Sequence, residues 1–147
     1  MSQESLIAST WRAKPRGFVA LMQLYESNYL RLRHLCGGDP ARLGDECLSV
    51  VADGCDLRLQ VLERSAYTLT LQLTHLFDHE RYPDVRLRVY CDARLVQAQQ
   101  CAQEPPAGRD APAQAIAADR ELRQRWARNI MLNKWLEYCL DLGHRFG

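Results

Sequence analysis

No CxxC pair, no glycine-rich phosphate loop and no GxSxG elbow occurs in this sequence. Nor does any apolar run approach the roughly 18 residues of a membrane span. Each absence excludes something. Without GxGxxG or a P-loop there is no dinucleotide or nucleotide-phosphate fingerprint, so no cofactor is expected. Without the elbow there is no α/β-hydrolase nucleophile, and no other catalytic constellation stands out. The six cysteines (Cys36, Cys47, Cys55, Cys91, Cys101 and Cys139) lack zinc spacing, so they read as small hydrophobes or idle thiols of a reducing compartment. An excess of one charge is also missing. Lys and Arg number 19 against 18 Asp and Glu, for a formal net charge of +1. A nucleic-acid binder is usually strongly basic, so that class is disfavoured, although a local basic patch is not. Residues Met1 to Ala8 have neither a positive n-region nor a long apolar core, so no secretory signal is expected. The expectation is a soluble, cytoplasmic protein that makes no use of a membrane.

What is present is an ordinary globular composition, 47% hydrophobic and 25% charged. A chain of this length buries about two-thirds of its unfolded surface and needs no staple to fold. It reads as a single domain over residues 1–147, with 1–14 flexible. Pro15 suits the first turn of a helix whose apolar stripe is Phe18, Leu21, Met22, Tyr25, Tyr29 and Leu32. Cys36-Gly37-Gly38-Asp39-Pro40 stops it. The period then changes to two. Leu48 and Val50 alternate with Ser49 and Val51; Leu57, Leu59 and Val61 with Arg58, Gln60 and Leu62. Tyr67, Leu69, Leu71 and Leu73 face one way and Thr68, Thr70, Gln72 and Thr74 the other. Val85, Leu87 and Val89 alternate with Arg86, Arg88 and Tyr90, and Cys91–Arg94 turns into Leu95–Gln100. Half-apolar alternation of this kind predicts an antiparallel meander of about five strands with one face buried and one wet.

Residues 103–118, rich in Pro, Ala and Gly, read as a loop. A long helix follows, from an N-cap at Asp119 to about Leu142, with Gly143 as its stop. Leu122, Trp126, Ile130, Leu136 and Leu140 lie on one side, and Trp126 and Leu136 are expected in the core. Met131, Leu132, Trp135, Tyr138 and Cys139 widen the apolar arc beyond a simple stripe, so this helix is expected to be either deeply buried or shared with another surface. The fold class is α+β, with the N-terminal helix and the long C-terminal helix flanking the meander, the latter packed on one face.

Three segments carry a resemblance. They are Asn133-Lys134-Trp135-Leu136-Glu137-Tyr138-Cys139-Leu140-Asp141-Leu142-Gly143, Leu87-Arg88-Val89-Tyr90-Cys91-Asp92-Ala93-Arg94, and Leu21-Met22-Gln23-Leu24-Tyr25-Glu26-Ser27-Asn28-Tyr29. Together they resemble the YqiB-like family of small bacterial proteins, a domain of unknown function, over roughly residues 15–143. The resemblance implies a bacterial, cytosolic location and no established activity. The stretch before the last helix departs from the family's tyrosine- and proline-containing pattern.

Three candidate sites remain. Arg86, Arg88 and Tyr90 share a strand face, with Asp92 and Arg94 in the adjoining turn. Paired guanidiniums there would grip a small anion such as a nucleotide or phosphometabolite, since arginine donates in a planar fork; the bland alternative is a solvated face. His75, Asp78 and His79 end a strand, but no helix face fixes them as metal ligands, so no metal is expected. Asn133, one helical turn from Asn129, sits inside the apolar arc and must find hydrogen-bond partners, from a ligand or from the fold itself. The leading functional expectation is a non-enzymatic binding or adaptor module acting through protein–protein contact, with a protein partner or a second copy in a homodimer. The alternative is an anionic-ligand protein or enzyme using the sheet face around Arg88–Arg94.

Overall fold

The computed structural model describes residues 17–52, 55–77, 80–101 and 114–146. The flexible stretch expected over 1–14, Pro15 and most of the 103–118 loop lie outside them. Helix α1 spans Phe18–Cys36. It ends in a Schellman cap: Gly37, at φ 71°, donates to the His34 carbonyl and Gly38 to that of Arg33. A short 3-10 turn, Pro40–Arg42, follows, with the Asp39 carboxylate capping the Ala41 amide at 3.0 Å.

Five antiparallel strands come next, in the spatial order of the chain: β1 (Glu46–Ser49), β2 (Asp56–Arg64), β3 (Thr68–Phe77), β4 (Glu80–Tyr90) and β5 (Leu95–Cys101). The register matches the period-two reading. Leu59 faces Leu73, Leu71 faces Leu87 and Val89 faces Val96, and all six are buried. The opposite face carries the polar set, with Thr70 beside Arg88 and Gln72 beside Arg86. The fold class is therefore α+β with a five-stranded antiparallel meander, as the alternation predicts.

Three local expectations are corrected. In β1 the inward residue is Ser49, 5% exposed, while Leu48 and Val50 are 55% and 68% exposed. The reason lies at the far end of the chain: the Ser49 hydroxyl accepts from the Arg145 amide at 3.0 Å and meets His144 Nδ1 at 2.9 Å. Tyr67 is exposed because the strand begins one residue later, after a turn closed by Ser65 N–H donating to Thr68 O. The last helix, α2, runs Gln114–Asp141, so 114–118 are helix and Asp119 is not its N-cap. Ala115, Ala117 and Ala118 are strong helix formers, and their propensity outweighs the loop reading drawn from the prolines upstream.

Helix α2 ends in a second Schellman cap, with Gly143 at φ 92° donating to Leu140 O and His144 to Cys139 O. The chain then turns back, Phe146 N–H donates to Leu35 O at 2.8 Å, and the Phe146 ring is buried in the core. The two helices run side by side in the same sense, Asn28 against Asn129 and Arg31 against Asn133. Their C-terminal halves cover the apolar sheet face, where Leu32, Leu35, Leu132, Leu136 and Cys139 join the strand leucines and valines in one core. Their N-terminal halves form a smaller cluster of Leu21, Leu24, Tyr25 and Trp126 with Leu95 of β5. Trp126 and Leu136 are both buried, as expected.

Candidate functional site

The outer side of α2 carries a groove of about 690 Å³. Its walls are two rows four residues apart, Trp126–Ile130–Lys134–Tyr138 and Ala127–Met131–Trp135, with Pro83 of β4 at the flank. Rows at i+4 are the ridges by which helices interlock, so the depression between them suits the ridge of another helix. Trp126 and Trp135 anchor it from beneath while Tyr138, 53% exposed, stands at one end. Lys134 is the cationic residue in the lining. The broad apolar arc read from the sequence thus divides. Leu132, Leu136 and Cys139 turn inward to the core, and the adjacent rows line the groove.

The open sheet face holds the second candidate. Arg86 is exposed beside Gln72 and Gln100. Arg88 is half-buried between Thr70 and Gln97. Among the described residues neither guanidinium makes an ion pair or hydrogen bond, and Arg88 Nε is buried without a partner. Tyr90 donates to Gln97 Oε1 at 3.3 Å. Burial raises the pKa of Tyr25 on α1, opposed by Arg125. Asp84 accepts from Gln72 and from Thr74, the latter at 2.8 Å, and sets the acidic limit of this face. Asp92 and Arg94 are exposed in the turn closing β4, with Arg94 at φ 56°. The structure therefore brings Arg86, Arg88 and Tyr90 onto one face with Asp92 and Arg94 at its end. It does not bring Asn133 there.

Asn133 lies on the other side of the sheet, in a buried network between the helices. Its amide donates to Ser27 Oγ at 2.9 Å and Asn28 Oδ1 at 3.1 Å, and its own Oδ1 accepts from Arg31 at 3.2 Å. Asn129 Oδ1 accepts from the Ala98 amide at 2.7 Å, and Asn28 donates to Val96 O at 3.2 Å. Val96 and Ala98 belong to the edge strand β5, so the two asparagines occupy its outward-facing backbone groups. A sheet edge left bare invites pairing with another chain, and here the helix pair closes it. Asn28 and Ser27 were not among the residues singled out from the sequence; the one hint was an Asn within the apolar stripe of α1.

The third candidate turns inward. His75 on β3 is buried, 6.1 Å from the Trp135 ring and 5.8 Å edge-on from His144. Burial lowers the pKa of both imidazoles, and the neighbouring His75 lowers that of His144 further. The His144–Ser49 contact joins a base to a hydroxyl, but Ser49 is 5% and His144 2% exposed, which gives a substrate no approach. This pair is a latch fastening the chain end to β1. Asp78 and His79 lie outside the described residues, and among those described no three His, Cys, Asp or Glu side chains gather as metal ligands. Burial pushes the Cys36 and Cys139 thiols up to about 12, so neither is a nucleophile.

An α+β domain with one covered and one open sheet face, a clamped edge strand and a grooved outer helix is the class these features define. The chain belongs to the family described as protein of unknown function DUF1249, whose profile matches residues 31–145. Neither a curated protein nor a solved structure matches it. No described helix is long and apolar enough to cross a membrane.

Proposed function

We propose that this protein is a non-enzymatic binding module that works by protein–protein contact, and that the groove along α2 is its contact surface. The observation that carries the reading is the groove between two i+4 rows, floored by the buried Trp126 and Trp135 and open at Ala127, Lys134 and Tyr138, on a helix whose other side is already in the core. An apolar depression of this shape accepts a partner helix ridge over about three turns. A cytosolic setting fits the free thiols Cys36, Cys47, Cys55, Cys91 and Cys139, since such thiols persist where the medium is reducing. A bacterial, YqiB-like origin rests on the sequence resemblance. The test is a photoreactive phenylalanine analogue placed at the exposed Ala127, with a second at Gln60 on the open sheet face. Ala127 should give an adduct of discrete mass that disappears when Met131→Glu is added, while Gln60 gives none. Adducts at Gln60 and none at Ala127 would sink the reading.

A second reading is favoured by one observation, the unpaired guanidiniums of Arg86 and Arg88 on the open face. There the ligand is a small phosphate-bearing anion, gripped by Arg88 with Tyr90 beside it.

A further inference from the structure

We infer that the occupant of the α2 groove is the α2 helix of a second copy of this chain, packed antiparallel about a two-fold axis near Leu132. The inference rests on the groove being a contact surface, and a distribution of charge along the helix carries it further. Between 119 and 128 the helix holds four arginines (Arg120, Arg123, Arg125 and Arg128) against Asp119 and Glu121, with Glu121 ion-paired to Arg125 and Arg128. From 134 onward it holds Lys134 against Glu137 and Asp141. The helix is thus basic at one end, apolar in the middle and acidic at the other. Arg123, Ala127, Ile130, Lys134, Glu137 and Asp141 follow alternate spacings of four and three, which places them on one seam. Arg123, Ala127, Lys134, Glu137 and Asp141 are all exposed.

An antiparallel two-fold pairs residues equidistant from Leu132. Arg123 of one copy then meets Asp141 of the other, nine residues from the centre on each side. Ile130 meets the stem of Lys134, two residues from the centre on each side. Every pairing occurs twice, as a self-complementary patch requires. A parallel arrangement would set Arg123 against Arg123 and Asp141 against Asp141. A helix face from Arg120 to Asp141 is about 33 Å long and 10–12 Å wide, so two copies bury on the order of 800 Å². That is the low end of specific interfaces, so the dimer is reversible and its dissociation constant falls in the micromolar range.

The experiment is sedimentation velocity over a hundredfold concentration range. Wild type should pass from a 16.9 kDa monomer toward twice that mass. Ala127→Glu, at an exposed position of the lining, should weaken association at least a hundredfold while leaving the circular dichroism unchanged. Arg123→Asp and Asp141→Arg should each weaken it severalfold, and the double variant should restore it. Because both positions are exposed, neither change threatens folding, and the rescue separates antiparallel pairing from any other. A wild type that stays monomeric throughout, or a double variant weaker than either single one, overturns the inference. If the Ala127 crosslink then carries a different protein, the contact surface stands and only the identity of its occupant falls. If it carries nothing, both fall.

Discussion

Replacing Asn129 with Leu removes the group that seals the edge of the sheet. Asn129 is fully buried, and its Oδ1 accepts from the Ala98 amide at 2.7 Å and from Asn28 at 3.3 Å. Leucine has nearly the same volume, so the substitution opens little cavity and the polar term dominates. The Ala98 N–H is left without an acceptor beneath two helices, which costs about 1–3 kcal/mol. The lost Asn28 bond adds about 0.5–1.5 kcal/mol, softened because Asn28 still donates to Val96 O. The total is about 2–4 kcal/mol, or a fall in Tm of about 6–14 °C at this chain length. Urea and thermal unfolding followed by circular dichroism would measure it, with Arg86→Ala on the open face as a control expected within about 0.5 kcal/mol of wild type. Asn28→Leu combined with Asn129→Leu should cost less than the sum of the two, since they share one network. A Tm within about 2 °C of wild type would refute the reasoning: the Ala98 amide would then be reaching water and β5 would be an open edge.

Other consequences follow from the latch and the sheet face. His75 and His144 both have a folded-state pKa below the ordinary 6.5. As pH falls through that value the unfolded chain takes up protons that the folded one refuses, so stability declines below about pH 6.5 and is flat above it. His144→Gln, which keeps a polar contact to Ser49, should shrink the drop in urea midpoint between about pH 7.5 and 5.5; an unchanged slope would remove His144 from the account. If Arg88 grips an anion, inorganic phosphate at a hundredfold excess over its dissociation constant should stabilise wild type by about 2.7 kcal/mol, an effect absent in Arg88→Ala and weakened by salt. No phosphate-dependent shift in wild type would leave the arginines as a solvated row.

The strands were legible because each repeats a choice made several times over. Leu69, Leu71 and Leu73 against Thr70, Gln72 and Thr74 admit one period and one inward face. β1 was misread because it is only four residues long, and its inward member is a serine whose partners, His144 and Arg145, lie about 95 residues away. Nothing local to Leu48 and Val50 announces that they face out. The start of α2 was obscured by composition, because Pro and Gly drew attention away from the Ala115–Ala118 run beside them. Of the candidate site, the excess apolar width of α2 was visible and led to the groove. The division of that width between core and surface was not, since periodicity gives a face but not what covers it. Asn133 signalled that a buried amide needed partners; that its neighbours Asn28 and Asn129 serve the backbone of β5 depends on where β5 lies.

The claim that a second copy fills the α2 groove can be tested at a single atom group. The chain contains three methionines, Met1, Met22 and Met131, so a methyl-labelled methionine sample gives three resolvable signals. Met131 lines the groove, while Met22 packs against the small helix cluster with Leu21 and Trp126. On raising the protein concentration, the Met131 methyl should shift and broaden while Met22 holds its position, and Arg123→Asp should displace the midpoint to higher concentration. A Met131 signal that stays unmoved over the whole range would contradict the account.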